Sequence, residues 1–315
     1  MELNSYRKWV FSLLLEDGYQ EFLYDLKIKN YSPRTIKGYT NNNKAFLNYL
    51  KNQFDIEELE DVTSKNIKSY LMFLKNKGLS VLYINNVHKC VRSFFKYLVE
   101  EGYIAEKRNP VLSIKFMKEP KVIIKTFDDN EIKKMINSYP TNNYLNMRNR
   151  LIIMFFVDLG IRNLELCMLT HLNIMNTVIK IDGKNNKERH LYLSPILKKY
   201  MIKYERMKND YFKDKLMVDN NYFLSRNGKE LTVSAIEKII KEAGLRAKVR
   251  KSIRCSPHTI RHYYAQKQLR LGLDVYSLSR LLGHESTVIT TRYLQSINDQ
   301  NIVELAKSTS PLSNL

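Results

Sequence analysis

A histidine and an arginine three residues apart, His258 and Arg261, stand in a predicted helix that opens at Ser256-Pro257. Residues at this spacing lie on one face of a helix, and the N–H groups of a helix N-terminus attract anions. Basic residues crowd the preceding stretch: Arg246, Lys248, Arg250, Lys251 and Arg254. This combination suits proton transfer and charge stabilisation at a bound phosphate.

Two more reactive side chains follow along the chain. His284 comes directly after the predicted helix stop at Gly283, and Tyr293 lies nine residues beyond His284 in the stretch TTRYL. Taken alone, a single histidine or one of 21 tyrosines is usually part of the packing. The ordered set is what indicates chemistry.

Metal and nucleotide chemistry are poorly supported by the motifs. His258 and His262 have the spacing of metal ligands on a helix, but the chain has no HExxH motif and no paired cysteines. Gly228-Lys229-Glu230 lacks the loop and the hydroxyl of a phosphate-binding P-loop, and no Rossmann glycine pattern occurs. We therefore expect neither a metal nor a cofactor.

The charge of the chain indicates the kind of partner. Its 315 residues contain 52 Lys and Arg against 32 Asp and Glu, a formal net charge of +20, which favours nucleic acid or an anionic membrane surface. No apolar run is long enough to span a bilayer. The three cysteines, odd in number and far apart, indicate a reducing compartment. We expect a cytoplasmic protein, associated with the nucleoid.

Helices dominate the predicted elements, because 10 Gly and 7 Pro are too few for a loop-rich β fold. In the first third, helices are predicted to begin at Ser32-Pro33, at Thr63 or Ser64, and near Ser80. Their apolar stripes indicate a small helical bundle. Polar residues on the third of these helices either read DNA bases or form a solvated face; those chosen as candidates are Asn85, Lys89 and Arg92.

Residues 105–125 form a basic linker with six cations and two anions. It is either a solvated connection or a strap across a DNA backbone. Its candidate phosphate contacts are Lys115, Lys118 and Lys121. The predicted order is an N-terminal helix or extension at 1–18, a helical domain at 19–104, this linker, a second domain at 126–297 and a tail helix at 298–315.

The second domain is predicted to be mainly helical with one β-hairpin. Thr126 is expected to cap its first helix, and residues 151–159 form a densely apolar one. Alternating residues at 178–182 and 189–193 flank a turn-rich tip and predict the hairpin. A further short strand is expected at 222–224, and further helices at Pro195, Val233, Pro257 and Asp274.

Taken in order, these residues resemble the signature of the tyrosine site-specific recombinases, the family of phage integrases, Xer recombinases and transposon integrases. LGIRNLEL at residues 159–166 is similar to the family's TGLRISEL, and GKNNKER at 183–189 is similar to GKGNKER. Asn185 departs from the family glycine, and Lys187 is a rival for the role of Lys184. By this resemblance the catalytic set is Arg162, Lys184, His258, Arg261, His284 and the nucleophile Tyr293.

The resemblance covers residues 19–294 and implies a mechanism. Tyrosine would attack a DNA phosphate and form a 3′-phosphotyrosyl ester, which conserves the bond energy without ATP or metal. Arg162 and Arg261 would bind the phosphate oxygens, Lys184 would protonate the leaving 5′-oxygen, His258 would act as acid or base, and His284 would donate to the phosphate.

The resemblance also implies an assembly. Two domains would form a C-shaped clamp on duplex DNA, with Arg250 among the candidate DNA contacts. Four protomers would join two DNA duplexes through a Holliday junction, with the tail helix docked on a neighbour or on its own domain. Accessory DNA-bending or directionality factors are compatible with this scheme.

Two other functions use the same fold or chemistry: a DNA-binding regulator without catalysis, and a type IB topoisomerase. The complete catalytic set argues against the regulator, and the small helical first domain favours recombination over topoisomerase activity. Integration or excision of a mobile element, Xer-like resolution and inversion all stay open.

Overall fold

A computed structural model describes residues 13–120, 124–182, 188–215 and 218–296, together with Val303 and Lys307. The chain divides into two compact units, Met1–Lys121 and Val122–Leu315. Several predictions fall outside the described residues: the hairpin tip with Lys184 and Lys187, the candidate Lys121, most of the N-terminal extension, and the tail helix apart from Val303 and Lys307.

The first unit is a bundle of helices, as predicted. The helices are α1 (Leu15–Ile28), α2 (Pro33–Phe54), α3 (Ser64–Asn76) and α4 (Val81–Glu100). Serine hydroxyls begin two of them, because Ser32 and Ser80 accept from the backbone N–H groups three residues on, at 3.2 and 3.3 Å. Helix α1 crosses the boundary predicted between residues 18 and 19, so it belongs to this bundle.

The bundle core is aromatic and aliphatic. Phe46, Ile67, Ile84, Phe94 and Phe95 are completely buried in it. They come from α2, α3 and α4 at helical spacing, which explains why the apolar stripes predicted these helices.

Part of the predicted linker is packed on this bundle rather than solvated. Val111 and Ile114 are 3% and 5% exposed and lie in the same core. Asn85 of α4 binds the chain that follows Ile114. Its side-chain oxygen accepts from the N–H of Met117, and its side-chain nitrogen donates to the carbonyl of Met117, each at 2.9 Å. The same amide donates to Glu119 at 2.9 Å. Residues 111–119 are thus an ordered strap on α4.

We expect Asn85→Ala to loosen this strap, because the variant leaves the N–H and carbonyl of Met117 without their partner. The free energy of unfolding of the first unit should fall by about 1–3 kcal/mol, measured by urea denaturation. Limited proteolysis should cut near residue 117 sooner. Asn86→Ala, at the exposed neighbouring position, is the matched control. Equal stability and equal cleavage in the two variants would contradict this role of Asn85.

The second unit contains eight helices and one hairpin in the residues described. They are α5 (Asp129–Asn137), α6 (Tyr144–Leu159), α7 (Asn163–Met168), β1 (Val178–Asp182), β2 (Glu188–Tyr192), α8 (Pro195–Phe212), α9 (Val233–Arg246), α10 (Pro257–Arg270), α11 (Val275–Leu282) and α12 (Thr287–Thr291). The strands pair antiparallel with Val178 opposite Tyr192. The second strand was predicted one residue too late.

Two local predictions in this unit are wrong. Helix α5 is capped by Asp128, whose carboxylate accepts from the N–H of Glu131 at 2.8 Å, and not by Thr126. The hydroxyl of Thr126 instead donates to the carbonyl of Thr259 at 2.9 Å. Residues 222–224 form no strand, because the pairing here is limited to one isolated bridge at Asn221 and one at Leu224.

The apolar helix α6 lies at the centre of the second core. Leu151, Ile152, Phe155 and Phe156 are completely buried there, so the helix is apolar on nearly every side. It ends at Gly160, whose left-handed backbone (φ 58°) turns the chain toward Arg162. The end of this central helix therefore fixes where Arg162, the first arginine of the signature, leaves the core.

Candidate active site

Helix α10 carries the His-x-x-Arg pair and begins as the sequence predicts. The Ser256 hydroxyl accepts from the N–H of Thr259 at 3.3 Å, and Pro257 occupies the first helical position. His258 in the first turn is exposed, whereas Arg261 on the next turn is buried. The helix therefore presents one group to the surface and holds the other inside.

Arg261 connects two distant parts of the chain. Its Nη1 donates to the carbonyl of Gly160 at 2.6 Å, and its Nη2 donates to the carbonyl of Leu282 at 2.5 Å. Arg261 is only 5% exposed, and this burial lowers the pKa of its guanidinium to about 10. The guanidinium is still charged at neutral pH, and the two carbonyls fix its plane.

Arg162 approaches the same place from the start of α7. Its Nη1 lies 2.8 Å from Oε1 of Glu165, and its Nη2 donates to the carbonyl of Gly283. The side chain is 40% exposed, so it is the more accessible of the two signature arginines. Because Gly283 directly precedes His284, this bond joins the stretch of Arg162 to the stretch of His284.

Glu165 and Arg189 hold this arrangement, although neither was chosen as a site residue. Arg189 of β2 forms a bidentate pair with the Glu165 carboxylate at 2.9 and 2.6 Å, and its Nε donates to the carbonyl of Leu281 at 2.9 Å. Burial opposes ionisation, but the bonds from Arg189 and Arg162 prevail and lower the pKa of Glu165 to about 2. Both residues lie within the quoted motifs, which is the signal that could have found them.

We expect Glu165→Gln to lower both stability and strand cleavage, because two guanidiniums would lose their anionic partner. The wild-type carboxylate has a folded pKa of about 2 against an ordinary 4.5. Its contribution is complete above pH 4.5 and disappears as the pH falls towards 2. The difference in unfolding free energy between wild type and variant should therefore shrink across that window. A difference that does not change with pH would contradict the ion pair.

Gly283 leaves room for these arginines. It adopts a left-handed backbone (φ 63°) at the end of α11. A Cβ atom here would lie 3.0 Å from Nη1 of Arg189 and 3.2 Å from Nη1 of Arg162. Glycine therefore serves both the helix end and the close approach of the two side chains.

His284 is bonded on both ring nitrogens. Its Nε2 lies 3.2 Å from Nη2 of Arg261, and its Nδ1 lies 2.8 Å from the hydroxyl of Thr290. A guanidinium can only donate, so Nε2 accepts and Nδ1–H donates to Thr290. Burial, followed by Arg261 and Arg162, lowers the pKa of His284 to about 4, so the ring is neutral. The sequence did not indicate this bond from Arg261 to Nε2. Donation from His284 to a phosphate stays a prediction.

Tyr293 lies in a short 3-10 turn, Arg292–Ser296, that follows α12. The residue is 4% exposed, and its ring packs in a small apolar cluster with Tyr264, Leu278 and Leu282. Its hydroxyl lies 2.8 Å from Nδ1 of His262. Burial raises the pKa of the phenol, and the charge of Arg261 partly offsets that rise. The predicted nucleophile thus bonds to His262 and feels the charge of Arg261 of the same chain.

His262 is the histidine whose place in this site the sequence did not indicate. It was weighed only as a metal ligand with His258, yet it bonds to the predicted nucleophile. Its ring lies 4.1 Å from that of His258. Its position directly after Arg261 was the available signal. In the part of the chain that the structure describes, no group of three or more His, Cys, Asp and Glu side chains could hold a metal.

The candidate DNA contacts fall into two groups. Lys89, Lys115 and Lys118 are exposed. Three more, Asn85, Arg92 and Arg250, have partners within the protein, and Lys121 lies outside the described residues. Asn85 holds the strap, as described above, and Arg92 donates to the carbonyl of Ile114 at 3.3 Å. Arg250 pairs with Glu131 through Nε at 2.8 Å. The hydrogen bond from Arg250 lowers the pKa of the Glu131 carboxyl to about 2. Asn85, Arg92 and Arg250 thus form hydrogen bonds within the protein that the sequence did not indicate.

Two family models match the chain. The model described as the phage integrase family matches residues 125–300, and the phage integrase N-terminal SAM-like domain matches residues 19–104. The tyrosine recombinase XerC of Leptospira interrogans is 31% identical over 304 residues, which is 94% of each chain. The tyrosine recombinase XerD of Staphylococcus haemolyticus is 28% identical over 301 residues, 94% of this chain and 99% of that protein.

Solved structures share the fold. The XerH site-specific recombinase bound to palindromic difH substrate has a TM-score of 0.72 at 19% identity, covering 90% of this chain and 82% of that one. A lambda integrase tetramer bound to a Holliday junction has a TM-score of 0.71 at 17% identity, with 90% and 78% covered. The Tn1549 transposon integrase in complex with transposon right end DNA has a TM-score of 0.70 at 17% identity, with 92% and 98% covered.

The chain belongs to the phage integrase family. Within that family it is a tyrosine recombinase, an enzyme, as the ordered signature predicted. Among the helices described here, none is long and apolar enough to cross a membrane.

Proposed function

We propose that this chain is a site-specific DNA recombinase that cleaves a DNA strand with Tyr293 and rejoins it to another strand. One observation carries the proposal. Arg261 bonds to the carbonyls of Gly160 and Leu282 and to His284, while the adjacent His262 bonds to the hydroxyl of Tyr293. Four separate stretches of sequence therefore meet at one place that carries positive charge and a nucleophile.

The chemistry of this place suits phosphoryl transfer. As the phenolic oxygen attacks phosphorus, negative charge grows on the non-bridging oxygens, and preformed guanidiniums stabilise it. Arg162 is accessible enough to contact a phosphate directly, and the buried Arg261 contributes a fixed charge behind it. The product is a 3′-phosphotyrosyl ester, from which a free 5′-hydroxyl restores the DNA strand.

Lys184 is proposed as the acid that protonates the leaving 5′-oxygen. It follows Asp182, the last residue of β1, by two positions. The neighbouring strand β2 contributes Arg189 to the arginine cluster, which ties the hairpin to the site. His258, exposed at the start of α10, is proposed to act as acid or base in the same reaction.

The substrate is proposed to be duplex DNA bearing two recombination sites, acted on by four protomers through a Holliday junction. The lambda integrase tetramer on such a junction and the XerH complex with difH support this proposal by their common fold. The exposed Lys89, Lys115 and Lys118 are the proposed phosphate contacts of the first unit. We place the protein in the cytoplasm, associated with the nucleoid.

The proposed biological role is integration or excision of a mobile element, or Xer-like resolution. Similarity to XerC and XerD relatives supports the second role, and the fold of the Tn1549 transposon integrase supports the first. The domain assignment proposed with it is a DNA-binding helical domain at 19–104 and a catalytic domain at 126–297.

Covalent capture tests the function. Duplexes that bind the full-length protein are selected from a randomised pool, and the selected site is prepared with a nick beside each candidate cleavage position. Loss of the short fragment traps the 3′-phosphotyrosyl adduct, which migrates slowly in a denaturing gel. We expect an adduct without ATP or divalent metal. A protein that binds the selected site but forms no adduct on any nicked version would be a regulator and not a recombinase.

A further inference from the structure

His262 forms a hydrogen bond to the predicted nucleophile, Tyr293, that the sequence did not indicate. Nδ1 of His262 and Oη of Tyr293 are 2.8 Å apart, and their ring centroids are 5.4 Å apart. His262 is the residue after Arg261 on α10, so the helix that fixes the guanidinium also fixes this imidazole. Tyr293 is 4% exposed, which leaves little water at the bond.

Several charged or titratable groups face the His262 ring. They are His258 on the same helix, Arg261, His284 beyond α11, and Tyr293 itself. Burial, then His258, Arg261 and His284, lowers the pKa of His262 to about 4. The ring is therefore neutral before DNA binds, and a neutral imidazole has one nitrogen that accepts a hydrogen bond.

We propose that His262 is a further catalytic residue of strand cleavage: its Nδ1 accepts the hydrogen bond of the Tyr293 hydroxyl and takes the proton as the phenolic oxygen attacks the phosphate. This inference rests on the proposed function. In this tautomer Nε2 carries the hydrogen of the neutral ring.

The step balances without an added reagent. The Oη–P bond forms while the bond from phosphorus to the 5′-oxygen breaks, and the phenolic proton moves to Nδ1, which gives an imidazolium. The leaving 5′-oxygen takes its proton from an acid, proposed above to be Lys184. When the 5′-hydroxyl attacks in the rejoining step, the imidazolium returns its proton to Oη.

A bound phosphate makes the transfer easier. Its negative charge offsets the positive charge of Arg261, which acts on His262, so the imidazole becomes a stronger base when DNA is present. The charge of Arg261 also favours the phenolate form of Tyr293, since it acts on both groups. The proton is therefore held on the tyrosine until a DNA phosphate enters.

Two substitutions of His262 distinguish a hydrogen bond that only positions the Tyr293 hydroxyl from one that also accepts its proton. His262→Asn places an amide oxygen near the position of Nδ1, where it still accepts a hydrogen bond but has no useful basicity. His262→Ala removes both properties. His171→Asn is the matched control, because this exposed histidine contacts Lys208 and Tyr222, which lie outside the site. Full-length proteins are compared in single-turnover adduct formation on the nicked selected site.

At neutral pH we expect both His262 variants to form adduct about 10²–10⁴-fold more slowly than wild type, the usual contribution of general acid–base catalysis. The wild-type rate should level off once the imidazole is neutral in the DNA complex. The His262→Asn rate should continue to rise with pH, because solvent must then remove the phenolic proton. Affinity for the uncleaved site and thermal unfolding should stay close to wild type in His262→Asn and in the His171→Asn control.

Each other outcome has a definite meaning. A His262→Asn variant with the wild-type rate and pH profile overturns proton acceptance, even if His262→Ala is slow. A His262→Ala variant that folds and cleaves like wild type overturns the whole inference. If wild type itself binds the selected site and forms no adduct, the proposed function fails first, and that result does not depend on either variant.

Discussion

Tyr293→Phe should abolish adduct formation on the nicked site and leave DNA binding intact. The substitution removes the only atom that can attack phosphorus from this side chain, so no slower route through the same residue exists. The ring itself stays, and it continues to pack with Tyr264, Leu278 and Leu282. Loss of the bond to His262 should change the free energy of unfolding by about 0.5–1.5 kcal/mol. The defect is therefore chemical and not a failure to fold.

The measurement is a denaturing gel of the nicked duplex after overnight incubation, with binding followed separately by gel shift. Tyr276→Phe is the matched control, because Tyr276 on α11 is 65% exposed. We expect it to cleave at the wild-type rate. An adduct formed by Tyr293→Phe would mean that another residue is the nucleophile, and the assignment of Tyr293 would be wrong.

Arg261→Lys should slow cleavage by about 10²–10³-fold, the usual cost of losing one preformed group that stabilises the developing charge, because the lysine charge is no longer held in the same place. Lysine keeps the charge but not the planar fork that reaches the carbonyls of Gly160 and Leu282 together. At least one of these buried carbonyls loses its partner. The free energy of unfolding should therefore fall by about 1–3 kcal/mol.

Arg270→Lys, an exposed position at the end of the same helix, controls for the general effect of the exchange. Single-turnover rates and urea denaturation of both variants give the comparison. If Arg261→Lys cleaves at the rate of Arg270→Lys, the geometry of the fork is unimportant, and a buried charge alone suffices for catalysis.

Helix boundaries could be predicted where one residue dictates local geometry. Ser32-Pro33, Ser80 and Ser256-Pro257 each begin a helix as predicted, because a serine hydroxyl satisfies the first N–H groups and proline favours the first turn. The start of α5 was misassigned because Thr126 and Asp128 are both acceptable caps. Only the position of Glu131, which completes the reciprocal bonds with Asp128, distinguishes them.

Polar side chains were harder to interpret than apolar ones. A sequence shows that Asn85 and Arg250 can form hydrogen bonds, but it does not show with what. In the folded chain, Asn85 bonds to Met117, more than thirty residues away, and Arg250 bonds to Glu131, which is 119 residues away. Such distant partners depend on tertiary packing, and no local pattern encodes them.

The signature residues were found because they come in a fixed order, and their supports were overlooked because they carry no separate motif. Glu165, Arg189 and His262 sit between or beside the recognised positions. Their importance lies in which atoms they touch: a carboxylate shared by two arginines, and an imidazole on the phenolic oxygen. Only coordinates supply that information.

The arginine cluster has a thermodynamic consequence for the whole molecule. Arg162 and Arg189 share the single carboxylate of Glu165. Arg261 is buried, and its described hydrogen bonds go to two backbone carbonyls and the neutral ring of His284, none of which carries a negative charge. The uncomplexed fold therefore stores electrostatic repulsion that an incoming anion relieves. Ligands that bind only the folded state raise its melting temperature. Short oligonucleotides, and even inorganic sulfate, should thus protect the second unit against heat, and the protein should be most fragile in dilute buffer without polyanions.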